Sequence, residues 1–244
     1  MHTMIFTGGQ APLPYNTVFY FSKLKQIDTV IAADSGLDTL EAFGQFYGST
    51  YDLTPDYIIG DMDSLHDTAL LSKYPKARCE KYSRDKDYSD TELALIKARE
   101  FHTEDSPLTV TLIGGCGGCI DHLMAVLDTF SFPFHADYWL CEHETVCYLE
   151  DGDVLKIANV HPDDRISVSR TTASFEGGKI KTEGLMWESP LFRKKGMPSL
   201  SNRAVKGYGS NKKPVTIRVE TGTFLVTVPI NAVLTKESSG SSVQ

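Results

Sequence analysis

The sequence predicts an α/β chain in two parts: a doubly wound, mostly parallel (Rossmann-like) sheet over residues 1–143, then an antiparallel β-sandwich or jelly-roll-like domain over 144–235. Three observations predict it. Up to about residue 140, short apolar runs without polar alternation take turns with amphipathic segments, the pattern of strands covered on both faces by helices. Beyond Glu144 the helical periodicity fades, and runs such as Val215, Ile217 and Val219 alternate with polar residues between Asp-Gly, Gly-Gly and Thr-Gly turns. Hydrophobic residues make up 41% of the 244, which is enough to fill a core in each part.

In the first part, Met4–Thr7, Thr29–Ala33, Tyr57–Gly60, Thr109–Ile113 and Asp137–Cys141 read as buried strands. A helix fits from Gly36 to Phe46. Ser89 with Glu92 forms a capping box that opens a second helix, running to Phe101, with Leu93, Ile96 and Lys97 at helical spacing. A third starts near Asp121 and sets Leu123, Val126, Leu127 and Phe130 on one face. In the second part, Val154–Ile157, Arg165–Val168, Val215–Val219 and Phe224–Val228 read as strands, and the Ser/Gly-rich residues 236–244 as a flexible tail.

Charge and cysteine content narrow the function. A formal charge of −8 argues against nonspecific nucleic-acid binding, which needs a basic surface. An acidic protein that handles phosphates must supply cations locally, from a few Lys and Arg or from a metal. Five cysteines, together with an N-terminus that lacks the basic start and apolar run of an export signal, predict reduced thiols in the cytoplasm. No run approaches the ~18 apolar residues of a membrane span.

Three loops carry the chemistry. After the third strand comes Gly60-Asp-Met-Asp-Ser64, in which Asp61 and Asp63 point the same way in extended chain at a strand's C-terminal end. Two adjacent anions there make a Mg²⁺ half-site, since that ion takes one or two carboxylates plus phosphate oxygens and water. The simpler alternative is a helix cap, with Ser64 as the capping residue. Arg84-Asp-Lys-Asp-Tyr-Ser-Asp90 crowds three aspartates with Lys86 at a helix start, more anions than capping needs; a solvated charged turn is the plain alternative. Gly114, Gly115, Gly117 and Gly118 follow a buried strand and precede a helix, so that backbone N–H groups can approach a phosphate. Gly8 and Gly9 after the first strand and Asp34 after the second add contacts of the same kind. The spacing is neither the dinucleotide fingerprint nor a Walker A loop. Cys116 and Cys119 form a C-x-x-C, but the spacings to Cys141, His143 and Cys147 match no common zinc finger.

Taken in order, Ala33-Asp34-Ser35-Gly36, Pro55-Asp56 with Gly60 to Ser64, Asp87 to Glu92, Gly114 to His122, Thr182 to Trp187 and Ser199 to Asn202 resemble the motifs of the thiamine pyrophosphokinase family. The resemblance covers the chain to about Val228. It implies an ATP- and Mg²⁺-binding first domain, a second domain supplying part of a thiamine site, and a homodimer with active sites at the subunit interface. The implied reaction moves a diphosphate from ATP to the hydroxyl of thiamine, giving thiamine diphosphate and AMP. Asp61, Asp63 and Asp90 are then the metal-linked carboxylates. Gly8, Gly9, Asp34, Ser35, Gly36, Arg84, Lys86 and the four loop glycines are the ATP contacts. Asp121, Trp187, Ser199, Ser201 and Asn202 lie near thiamine, and Asp87 or Asp121 takes the alcohol proton. Trp187 reads equally as sandwich core, and Ser201-Asn202 as a turn. The family usually carries Arg where this chain has Cys119, which removes one polyphosphate contact. Two other readings stand beside this one: a nucleotidyl or sugar-nucleotide transferase using Asp61 and Asp63, and a noncatalytic thiamine or nucleotide sensor.

Overall fold

The structure, a computed structural model, describes residues 1–61, 69–83, 85–103 and 107–238. It divides into two compact units. Met1–Thr17 with Lys23–Glu142 form the first; Val18–Ser22 and the chain from His143 form the second.

Among the described residues, the first unit is built on β1 (His2–Thr7), β2 (Thr29–Ala33), β3 (Tyr57–Gly60), β4 (Arg78–Lys81), β5 (Thr109–Ile113) and β6 (Tyr138–Leu140). Their spatial order is β6-β5-β1-β2-β3-β4, and every pairing is parallel. Along the chain lie the helices α1 (Val18–Phe21, part of the second unit), α2 (Gly36–Tyr47), α3 (Ala69–Lys73), α4 (Asp90–Arg99) and α5 (Ile120–Thr129). All five residues of β2 are buried, as are five of the six in β1, so both sheet faces are covered. The chain starts in the middle at β1, steps outward through β2 and β3 to β4, then returns to β5 on the other flank of β1. That reversal opens a crevice at the strands' C-terminal ends, between β1 and β5.

The five expected strands of this unit are present. The edge strand β4 was not anticipated: Arg-Cys-Glu-Lys is mostly exposed and has no apolar signal, and its charges keep the sheet edge from pairing with another chain. Helix α4 has its full capping box, with Glu92 N donating to Ser89 Oγ and Ser89 N donating to the Glu92 carboxylate. Its buried stripe is Ala94, Leu95 and Ala98, not Leu93, Ile96 and Lys97, because small residues let the helix lie close over β1, β2 and β3. On α5, Val126 and Phe130 are buried as expected, whereas Leu127 joins Ile120 and Met124 on an exposed face.

The second unit contains β7 (Glu144–Leu149), β8 (Val154–Ala158), β9 (Ile166–Arg170), β10 (Lys179–Glu183), β11 (Ser199–Asn202), β12 (Val215–Thr221), β13 (Phe224–Pro229) and β14 (Val233–Glu237). Two antiparallel sheets form, β11-β9-β13-β7 and β10-β12-β8-β14, and successive strands alternate between them. This is the sandwich the sequence predicts. Val215, Ile217 and Val219 of β12 and Phe224, Val226 and Val228 of β13 are buried. Strand β14 continues through Glu237, past the expected domain edge at 235, because Lys236 Nζ lies 3.0 Å from the buried Asp153 carboxylate and ties the strand down. Lys179–Glu183 is too polar to have been read as a strand.

One half-buried titratable group links two central strands. His2 Nε2 lies 2.8 Å from Thr111 Oγ1, joining β1 to β5. Burial pushes the imidazole down from 6.5 to about 4, against the pull of the Asp137 and Asp28 carboxylates. The folded chain therefore refuses a proton that the unfolded chain accepts between those two values. Stability supplied by the neutral ring is full above 6.5 and falls as pH drops toward 4, by at most about 1.4 kcal/mol per pH unit. An NMR titration should place the His2 midpoint near 4; a midpoint at the ordinary histidine value would show that the ring is not desolvated.

Candidate active site

The crevice holds a cleft of about 650 Å³. Its walls are the chain ends that follow β1 (Gly8, Gly9), β2 (Asp34, Ser35) and β3 (Asp61), the approach to α4 (Lys86 to Thr91), and the loop between β5 and α5 (Gly115 to Cys119). Parallel strands place all these ends on one edge, so residues far apart in sequence converge there.

Carboxylate oxygens of Asp34, Asp61 and Asp90 lie within 4.8 Å of one another. Two unit charges at that distance repel by roughly 3–4 kcal/mol at an effective dielectric of about 20. The fold holds them together regardless. Asp34 sits in the left-handed region at φ 46, its N–H donating to Ile59 O at 2.8 Å and its C=O accepting from Leu37 N at 3.1 Å. A non-glycine residue in that conformation marks a corner fixed by its surroundings. Asp34 is 9% exposed, and its Oδ1 is buried with no hydrogen-bond partner among the described residues. Lys86 supplies the local positive charge, with Nζ 3.1 Å from Asp90 Oδ1 and 3.9 Å from Asp61 Oδ2. Burial raises the Asp90 carboxyl above the usual carboxylate range; Lys86 pulls it back, and Asp34 and Asp61 push it further up. An acceptor left unsatisfied among the described residues, beside two more carboxylates, offers oxygen ligands of the kind that suit a hard divalent cation.

The glycine loop is pinned against the end of β1. Gln10 N donates to Cys116 O at 2.6 Å, Cys116 N to Gln10 O at 3.2 Å and Gly115 N to Gly8 O at 2.8 Å. The buried Trp139 indole donates to Gly114 O at 2.6 Å from behind. Gly114, Gly115, Gly117 and Gly118 all have positive φ, between 67° and 97°. The N–H groups of Gly117 and Gly118 have no acceptor among the described residues. Helix α2 starts behind Ser35 and α5 behind Cys119, and neither cap residue bonds its helix through its side chain. Two uncapped helix starts and an open glycine turn together favour a polyanion. Thr7 Oγ1 and Thr91 Oγ1, 2.6 Å apart, tie β1 to the first turn of α4 beneath the cleft.

Of the residues singled out from sequence, Gly8, Gly9, Asp34, Ser35, Asp61, Lys86, Asp87, Asp90, Gly115, Gly117 and Gly118 line this cleft. Gly36 and Gly114 stand next to lining residues. Asp63, Ser64 and Arg84 lie outside the described residues. Asp121 is not among the lining residues; it is exposed in the first turn of α5, where its Oδ1 accepts from His122 N at 3.0 Å. Asp34, expected as a nucleotide contact, also stands with Asp61 and Asp90 in the carboxylate group. Thr7 and Thr91 are wall residues that sequence reasoning does not single out, since isolated Thr residues carry no pattern; His122, which closes the glycine-loop motif, lines the cleft too.

In the second unit, Trp187 is 46% exposed and is therefore not sandwich core. Asn202 is fully buried: its Oδ1 accepts from Trp187 N at 3.2 Å and Arg203 N at 2.9 Å, and its Nδ2 donates to Trp187 O at 2.7 Å and Ser199 Oγ at 3.0 Å. Asn202 and the buried Ser199 thus use their polar groups inside the chain and hold the Trp187 backbone. Ser201 is exposed at φ 54, its N–H donating to Ser167 Oγ at 3.0 Å. Glu188, which sequence reasoning did not single out, accepts from Gly184 N at 2.9 Å, Leu185 N at 3.2 Å and the Thr182 hydroxyl, fixing the Thr182–Trp187 segment.

Gly60 is the hinge of the carboxylate group. At φ 144, a Cβ there would stand 3.1 Å from Asp90 Cγ and 3.2 Å from Asp34 Cβ. Gly60→Ala should lower unfolding free energy by about 1–3 kcal/mol, from backbone strain and crowding together. Gly44→Ala, in the interior of α2 where a Cβ meets nothing within 4 Å, should instead raise it by up to about 1 kcal/mol. Urea unfolding of the two variants decides the matter: equal effects would mean that Gly60 is not sterically required.

Comparison with known proteins agrees with this fold. Residues 21–138 match the family model described as "Thiamin pyrophosphokinase, catalytic domain". No curated protein matches the chain at the sequence level. Among solved structures, the chain is similar to thiamine pyrophosphokinase from Bacillus subtilis (16% identity, TM-score 0.66, 94% of this chain and 99% of that one). It is also similar to thiamin pyrophosphokinase from Candida albicans (14%, 0.64, 93% and 89%). A thiamin pyrophosphokinase family protein from Enterococcus faecalis is similar too (18%, 0.62, 94% and 99%). At these identities the structures speak for the fold, while the match over 21–138 speaks for the family. The segment 21–138 thus matches the catalytic domain of the thiamin pyrophosphokinase family, within a fold like that of the Bacillus subtilis thiamine pyrophosphokinase.

Proposed function

We propose that this protein transfers a diphosphate from ATP to the hydroxyl of thiamine, releasing AMP and thiamine diphosphate. The observation that carries the reading is the buried Asp34 Oδ1, unpaired among the described residues, beside Asp61 and Asp90, in a cleft whose other wall is an open glycine loop. Asp34, Asp61 and Asp90 would hold Mg²⁺, with Asp63 as the further carboxylate that the sequence suggests. A bound Mg²⁺ supplies charge neutralisation at phosphate oxygens. The N–H groups of Gly117 and Gly118 and the start of α2 orient the polyphosphate, and Lys86 adds a mobile positive charge. The thiamine hydroxyl oxygen bonds to the β-phosphorus, and the bond from that phosphorus to the α-phosphate's bridging oxygen breaks, so that AMP leaves with the bond's electrons. The alcohol proton goes to a carboxylate. Asp87 is favoured over Asp121 because it lines the cleft. Trp187, its backbone clamped by Asn202, offers an exposed indole to stack on the cationic, aromatic vitamin, and Ser201 offers a nearby hydroxyl. A homodimer with shared active sites, working in the cytoplasm, completes the proposal.

The experiment is incubation with ATP, Mg²⁺ and thiamine, followed by product masses. AMP with thiamine diphosphate supports the proposal. Pyrophosphate release would point to nucleotidyl transfer, and saturable binding without turnover to a sensor. Asp61→Asn and Asp34→Asn should each lower kcat by at least ~100-fold, because lost charge complementarity at the phosphates costs several kcal/mol. Near-normal rates in both variants would refute the role of the carboxylates.

A further inference from the structure

The ammonium of Lys86 stands where a cation of the carboxylate group would act. It pairs with Asp61 and Asp90, whose oxygens lie within 4.8 Å of those of Asp34, and its own side chain and those of Asp61 and Asp90 are only 15–21% exposed. Water screens such a pair poorly, so the group cannot go without a counterion. A divalent ion held by the same oxygens at about 2.0–2.1 Å would leave an ammonium 3.1 Å from Asp90 Oδ1 in direct repulsion with it. Lysine is suited to yield, being a point charge on a flexible four-carbon stem. We propose that Lys86 is the resident counterion of Asp34, Asp61 and Asp90, that it and a divalent cation exclude one another there, and that metal entry releases it toward the nucleotide's phosphates. Lys86 is thus a positioning residue that couples the two ligands. It weakens metal binding while the cleft is empty and strengthens phosphate binding once the metal is in, so each ligand reports on the other by thermodynamic linkage. The inference rests on the proposed metal site and adds the device that balances the charge of the cluster before substrate arrives.

The test is Mn²⁺ binding to the full chain without nucleotide, followed by electron paramagnetic resonance. Lys86→Met should bind Mn²⁺ about tenfold more tightly than wild type, and Lys86→Arg, which keeps the charge, within about twofold of wild type. A second readout needs no neutral variant. After reductive ¹³C-methylation, the dimethyl-Lys86 resonance, identified by its loss in Lys86→Arg, should shift as Mg²⁺ is added. Unchanged or weaker Mn²⁺ binding in Lys86→Met overturns the counterion role while leaving the metal site standing. If Lys86→Met does not fold, a resonance unmoved by Mg²⁺ overturns it instead. Absence of Mn²⁺ binding in the wild-type chain would overturn the metal site itself.

Discussion

Mutual repulsion among Asp34, Asp61 and Asp90 is the force against which the first unit is arranged. Left to themselves, three carboxylates within 4.8 Å of one another would separate into water. They stay because each is anchored by backbone that serves another purpose. Asp34 is fixed by hydrogen bonds to β3 and to the first turn of α2. Asp61 follows the last residue of β3, and Asp90 opens a helix with a complete capping box. Gly60 leaves room at the centre by having no side chain. The cleft is thus a consequence of parallel strand order: β1 flanked by β2 and β5 puts the carboxylates on one side of the crevice and the glycine loop on the other.

The second unit solves a different problem with similar means. A large aromatic side chain must be presented outward without being lost to the core. Asn202 does this from the inside, using all its hydrogen-bonding capacity on the N–H and C=O of Trp187, on Arg203 N and on Ser199 Oγ. Glu188 stitches the preceding turn from the other end. Replacing a buried amide that satisfies four groups would leave those groups unpaired in a dry environment, which costs far more than losing one exposed contact.

Much of this was legible beforehand. Buried parallel strands appear as uninterrupted apolar runs, and the five expected in the first unit are present with bounds shifted by at most a few residues. The capping box at Ser89 is a local interaction between residues three apart, so the sequence contains all of it. Elements stabilised by their neighbours escaped notice. Strand β4 is a charged edge held by β3 alone, and Lys179–Glu183 is a polar strand held by β12. Face assignments on α4 and α5 slipped because several faces carry apolar residues and only the sheet decides which one it covers.

The division follows the range of the interactions. Residue identity and short spacing determined the strands, the capped helix, the acidic and glycine-rich loops and the change from α/β to all-β near residue 143, because hydrophobic period, capping and turn chemistry act over a few residues. Tertiary structure alone decided that Asp34 stands beside Asp61 and Asp90, that Lys86 reaches two of them, and that Asn202 faces inward while Trp187 faces out. Those facts depend on strand order and on which loops meet across a sheet edge, and neither is encoded in the spacing of residues along the chain.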